Sequence, residues 1–361
     1  MDNSLECRLS GYEPLWNEWY VDSFMWEDSL GAMFSLKDKN GRKSAVRVLT
    51  VDSTACGRPL SELTAAAIKR INARLPLAGE AFLVSARNFT VKNIENVGAP
   101  PVAADILVQT DDYRPLEIDG QMPYITARKL ADNICRGIRT AHRNGFTFGD
   151  ICPKNLRVDS EGHFCLDAPC TYLPALADHT YAAPETFSEN YDYFKADIYS
   201  YGIMLYQLFN GGLLPLQKEG ESPEIAVKAR LEGQPFDPPA GAPPDLGRFI
   251  MQCCMAHPES RYADMDEVYR VLNQLPVDSV PPQYEACYVP PEKRMGEEIK
   301  HPEIKEVPIT EPLQPPQTTP ETAQLSEEKE SRGMRLYVLV LLYMLLAAGG
   351  AFLIYSIFFL K

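Results

Sequence analysis

The chain has 361 residues, is 45% hydrophobic, and carries 49 acidic against 35 basic side chains, a formal net charge of -14. That length can bury a sizeable core in one large domain or two modest ones. The acidic balance excludes the basic footprint of a nucleic-acid binder, so no nucleic-acid partner is expected.

The opening stretch, residues 1–19, has neither a basic flank nor an apolar run. It reads as an extension and not as a signal peptide. "AMFSLKD" and "SAVRVLTVD" are short apolar or alternating runs joined by "KNGRK", whose Asn-Gly marks a hairpin turn. "LSELTAAAIKRINARL" places Leu63, Ala67, Ile68, Ile71 and Leu75 at helical spacing. "AFLV" and "ADILVQTDD" predict two more strands. From residue 126 the pattern turns helical. "ITARKLADNICRGIRTAHRNG" puts Leu130, Ile134, Ile138 and Ala141 on one face and stops at Gly145. "DIYSYGIMLYQLFNG" and "PPDLGRFIMQCCMAHPESRYADMDEVYRVLNQL" supply further helices. A small strand-rich lobe at about 20–112 followed by a larger helical lobe at 113–275 is an α+β arrangement.

Residues 276–332 are rich in Pro, Glu, Lys and Thr and read as a disordered tether. Residues 336–360 then run without a charge. About 20 apolar residues cross a bilayer core, so this stretch predicts a single transmembrane helix. Arg332 and Arg335 precede it and Lys361 follows. The positive-inside rule places the N-terminal body in the cytoplasm. The nine cysteines (7, 56, 135, 152, 165, 170, 253, 254 and 287) include no CxxC pair. They read as reduced thiols, without the paired short spacings of a zinc site.

Five short motifs in order carry a family resemblance. "FGDICPKN" sets Asp150 five positions before Asn155, "FCLDAP" holds Asp167, "YAAPE" ends on Glu185, "DIYSYG" begins at Asp197, and "HPESRY" holds Arg261. In this order and spacing, residues 20–275 resemble the protein kinase family. The resemblance implies a two-lobed kinase-like fold with ATP and Mg²⁺ as cofactors. Asp150 would meet the substrate hydroxyl, Asn155 and Asp167 would hold metal, and Asp197, Glu185 and Arg261 would be scaffold. Arg47 stands where the family's strand Lys would bind nucleotide, and Gly31 is the last glycine of the Gly-rich loop.

The departures matter as much. Gly149 and Cys152 replace the Arg and Lys around the catalytic Asp, and Pro169 replaces the Gly of D-F-G. An Arg fork is not equivalent to a Lys ammonium. The partner Glu expected on the helix falls near Ala67, with Glu62 the nearest carboxylate. "WEDSLG" keeps only Gly31 of the phosphate loop, and puts Trp26 and Asp28 where glycines let backbone approach phosphates. An anion about 4 Å from a phosphate costs on the order of 4 kcal/mol at a surface-like dielectric. The expected function is therefore a membrane-anchored, catalytically impaired pseudokinase that binds a protein partner. The alternative is an active but unorthodox Ser/Thr kinase acting on a protein substrate, since Asp150, Asn155 and Asp167 are all kept.

Overall fold

The computed structural model describes residues 4–28, 31–95, 98–117, 120–167, 179–188, 190–277 and 285–288. Pro169, the apolar span 336–360 and most of the Pro/Glu-rich tether lie outside the described residues. Among the described residues, no helix is long and apolar enough to cross a membrane.

The small lobe opens with α1 (Leu5–Tyr12), followed by β1 (Trp19–Asp28), β2 (Gly31–Asp38) and β3 (Lys43–Asp52). A short α2 (Ser53–Cys56) leads to α3 (Leu60–Arg74), then β4 (Asn88–Ile94) and β5 (Ala103–Thr110). The strands form one antiparallel sheet in the order β1-β2-β3-β5-β4. The β2–β3 turn is closed by Asp38, whose carboxylate accepts from the backbone N–H of Asn40 at 2.9 Å and of Arg42 at 2.7 Å. The run "AFLV", expected as a strand, contributes a single bridge from Leu83 to Leu166.

Strand alternation gives the sheet two apolar faces. One face takes α3, whose Ala67 and Ile71 cluster with Leu49, Val51, Ile106 and Val108. The other takes α1, whose Leu9 clusters with Phe34, Leu36, Val46, Val48 and Leu107. Residues 1–19, read as an extension, thus carry a helix that completes the small lobe. Its eight residues bury only Leu9, too little for a readable period. What docks it is a polar lock. Asp105 of β5 is fully buried on that face. It accepts from Arg8 Nε at 2.6 Å and Nη2 at 2.9 Å, Tyr12 Oη at 3.0 Å and Thr50 Oγ1 at 2.7 Å. Burial, with the Asp105 charge, raises the Tyr12 hydroxyl to about 12, so it stays a donor at any physiological pH.

The large lobe contains β6 (Tyr113–Pro115), β7 (Gly120–Pro123), α4 (Tyr124–Arg143), β8 (Leu156–Asp159) and β9 (Phe164–Leu166). Helices α5 (Tyr193–Leu208), α6 (Pro223–Leu231), α7 (Pro244–Cys253) and α8 (Met265–Gln274) follow. Every residue of α5 from Ala196 to Leu208 is buried, which accounts for its apolar run. The last strand, β10 (Glu285–Tyr288), pairs antiparallel with β7, and Ala286 joins the large-lobe core. These four residues fall inside the stretch read as a disordered tether. Their order comes from the β7 edge and a pocket for one small side chain, neither of which has a local sequence signal.

Replacing Arg8 by Ala leaves Asp105 buried beside two hydroxyls and no cation. Losing one partner of such a pair costs about 3 kcal/mol or more. Urea unfolding should show that loss for Arg8→Ala, and a loss below about 1 kcal/mol would show that α1 is not locked by this pair.

Candidate functional site

The loop between α4 and β8 is built around buried polar groups. Asp197, near the start of α5, accepts from the backbone N–H of Phe148 at 2.7 Å and Gly149 at 2.8 Å, and lies 3.0 Å from His142 Nε2. Gly149 adopts φ +71, a left-handed backbone that glycine takes without strain. Asn155 donates through Nδ2 to the Asp150 carbonyl at 2.8 Å, and its own carbonyl accepts from Asp167 N at 2.8 Å. Asp150, Asn155 and Asp167 are thereby gathered at one place, all buried.

Two neighbours complete the loop. Cys152 Sγ donates to Asp150 Oδ1 at 3.3 Å. Lys154 Nζ lies 3.9 Å from Asp150 Oδ2. The cation missing at Cys152 is thus supplied two positions later. The four-residue spacing from Asp150 was a visible signal for Lys154 that the motif comparison passed over.

Above this loop the sheet's α3 face presents charges that pair with one another. Arg47 Nη2 reaches Asp28 Oδ1 at 2.5 Å, and Arg157 Nη2 of β8 reaches Asp28 Oδ2 at 2.8 Å. Arg74, at the end of α3, donates to Asp167 Oδ1 at 3.2 Å and also to the Val84 carbonyl. Arg157 Nη2 stands 3.9 Å from Asp167 Oδ2. The carboxylate partner of Arg47 therefore comes from β1 and not from α3. Ala67 is core, and Glu62 is exposed and paired with Arg58 at 2.8 Å. Arg74 and Arg157 escaped sequence reasoning because their partners lie 93 and 129 positions away.

Asp28 was expected to repel a phosphate. Held between two guanidinia, it acts instead by occupying the cations that a phosphate would need. Glu27 is exposed.

Trp26 fills the space between. Its ring lies under the Arg47 guanidinium at 4.4 Å and the Arg157 guanidinium at 5.2 Å, and its Nε1 donates to the Tyr113 carbonyl at 2.9 Å. The cavity left among Trp26, Met33, Arg47, Val108, Thr110 and Asp167 is about 20 Å³. That is room for about one water. Gly31 pairs with Asp28 across the hairpin. A Cβ there would meet the Val48 carbonyl at 2.2 Å, and φ is +123, so both packing and backbone favour glycine here.

The fit of Mg²⁺ and ATP follows from these contacts. Asn155 Oδ1 is buried with no hydrogen-bond partner, as a metal ligand would be. Asp167 is the reverse, with a guanidinium beside each oxygen. Among the described residues, no group of three or more His, Cys, Asp or Glu is gathered for a metal. Mg²⁺ needs near-octahedral oxygen ligands and keeps several waters. Among the described residues, Asp167 as paired does not fit Mg²⁺, and the space they leave beside Trp26 holds about one water.

Beyond the cleft, Arg261 forks onto Glu185 at 2.5 and 2.8 Å. Arg230 of α6 holds the Thr180 carbonyl at 2.7 Å and the Ala182 carbonyl at 3.0 Å. Tyr181 donates to Gln207 at 2.6 Å. The segment bearing Glu185 is thus tied to α5 and α6 as scaffold.

Comparison with known proteins agrees with this architecture. Residues 107–271 match the protein kinase domain. The matched stretch includes Asp150, Asn155 and Asp167, while Trp26, Asp28, Arg47 and Arg74 lie before it. A serine/threonine/tyrosine-protein kinase of Arabidopsis thaliana is 31% identical over 159 residues, 41% of this chain and 40% of the relative. A probable serine/threonine-protein kinase of Clostridium perfringens is 25% identical over 174 residues, 44% of this chain and 25% of the relative. A tyrosine-protein kinase-like protein of Drosophila yakuba is 23% identical over 152 residues, 15% of its length. The chain spans less than half the length of these relatives. The kinase-like domain has Ser/Thr kinase homologues.

The Arg74–Asp167 pair is open to a double-mutant cycle. Arg74→Met and Asp167→Asn should each destabilise by about 3 kcal/mol, because each leaves a buried charge. The double variant should recover at least about 1 kcal/mol of the summed loss. Strict additivity in denaturant melts would show that the two groups are not partners.

Proposed function

We infer that this protein is a kinase-shaped binding module that does not transfer phosphate. One observation carries the reading: the groups that would hold nucleotide and metal are paired with one another, Arg47 and Arg157 on Asp28 and Arg74 on Asp167. Phosphoryl transfer depends on a cation for the phosphates and carboxylates for the metal ions. Both are engaged inside the chain. The module's role is then to present its surface to a protein partner. The apolar span 336–360 anchors it in a membrane, with the kinase-like domain on the cytoplasmic side as the flanking basic residues imply.

The second reading, an active Ser/Thr kinase, is favoured by the loop itself. Asp150 has Lys154 close to its carboxylate, and Asn155 keeps a buried amide oxygen without a hydrogen-bond partner. For that reading the cleft must open and exchange both ion pairs for Mg²⁺-ATP.

Thermal melts of the full chain in detergent micelles separate the two. A ligand present at 100 times its Kd adds about 2.7 kcal/mol of stability. Millimolar Mg²⁺-ATP should leave the melting temperature unchanged, and labelled ATP should give no phosphoprotein. A shift together with phosphate transfer that Asp150→Asn abolishes would establish the kinase instead. Anchoring has its own check. The full chain should pellet with membranes, and a chain ending at residue 335 should not; equal pelleting would place the attachment elsewhere.

A further inference from the structure

The way Trp26 and Asp28 enter the cleft is itself unusual. Register in the β1–β2 hairpin shifts twice, between Val21 and Ser23 and between Phe24 and Trp26. Asp22 and Met25 are the extra residues. A bulge re-aims the side chains beyond it, since a one-residue offset moves each one to the opposite face. Phe24 pairs with Phe34, whose side chain lies on the α1 face with Ala32, Val46 and Val48. Continued without the second bulge, the strand would pair Met25 with Met33 and Trp26 with Ala32. Trp26 would then face α1. The bulge at Met25 instead sets Trp26 opposite Met33 and Asp28 opposite Gly31, on the face that carries Arg47.

What the bulge delivers has the form of a ligand. Trp26 offers a flat ring against two guanidinia, with an N–H edge on a backbone carbonyl. Two residues on, Asp28 offers an anion bound by those same two guanidinia. One of them stands in the small lobe and the other in the large.

We propose that Trp26 and Asp28 are an internal ligand, and that the cleft they fill is a latent site for a planar heteroaromatic anion that needs no metal. This rests on the reading that the cleft does no phosphoryl transfer. The metal independence follows from charge. Arg47, Arg74 and Arg157 set three positive groups against Asp28 and Asp167, a net of +1. Withdrawal of Asp28 makes the net +2, and the anion that replaces it meets guanidinia where a metal-dependent site would supply Mg²⁺. A divalent cation would compete with Arg74 and Arg157 for Asp167 and gain nothing. The closed form lowers the apparent affinity of any outside ligand by the fraction of molecules that are open.

The experiment compares the full chain in micelles with Trp26→Gly/Asp28→Ala and with Asp28→Asn, by calorimetric titration and thermal melts. The probes are ATP and inorganic pyrophosphate, each in EDTA and in excess Mg²⁺. The double variant should bind ATP in EDTA at least tenfold more tightly than wild type, with no gain from Mg²⁺. Asp28→Asn keeps the shape of the hairpin and should tighten pyrophosphate binding alone. Should the double variant fail to fold, Asp28→Asn decides, and unchanged pyrophosphate affinity overturns the proposal. Binding that requires Mg²⁺ overturns it too. Phosphate transfer by the wild type would sink the non-catalytic reading, a result distinct from failure of the variants to bind.

Discussion

Asp28 sits between two guanidinia that belong to different lobes. Arg47 comes from β3 in the sheet and Arg157 from β8 below it, each within 2.8 Å of one carboxylate oxygen. Both guanidinia are nearly fully buried, so neither is well compensated by water. Buried charge is tolerated only when paired, and here one carboxylate near the tip of a hairpin is shared by both guanidinia. Trp26 lies over the same guanidinia and fills the space they frame. This cluster closes the described part of the cleft and joins the lobes at its mouth, while Arg74–Asp167 and the Leu83–Leu166 bridge join them deeper in.

The two halves of the site obey different constraints. Below the cleft, Asp197 fixes the backbone at Phe148 and Gly149, and Asn155 fixes it at Asp150 and Asp167. These are hydrogen bonds to main chain. They preserve the shape of a catalytic loop whether or not chemistry takes place, and Arg261 with Glu185 does the same for the segment that follows. Above the cleft the contacts are between charged side chains, and those have been reassigned. Asp28 takes the place of a helix carboxylate opposite Arg47, and Arg74 stands where a metal would face Asp167. The loop motifs are thus held by main-chain hydrogen bonds, and the cleft above them is lined by charge pairs that the small lobe supplies.

Much of the fold was legible because it is local. The spans of α3 and α4 followed from apolar spacing, the β2–β3 turn from Asn-Gly, and the large-lobe motifs from offsets that short loops hold constant. "WEDSLG", read as a degraded phosphate loop, lies at the β1–β2 hairpin, with Trp26 to Asp28 ending β1 and Gly31 opening β2. What could not be read was the face on which Trp26 and Asp28 emerge. Two bulges break the alternation that would have marked that strand. β10 was hidden in a proline-rich stretch, where pairing with β7 and the burial of Ala286 override composition.

The sequence by itself determined the kinase-like architecture, the gathering of Asp150, Asn155 and Asp167, and the loss of the helix Glu and the loop glycines. Each of these is a matter of residue type at a fixed offset. Only the tertiary structure decided what took the vacated roles. Arg74, Arg157 and Lys154 found their carboxylates, α1 found Asp105, and Trp26 turned into the cleft. Charge pairing between distant segments has no period along the chain, and the direction of a strand side chain changes with a single inserted residue.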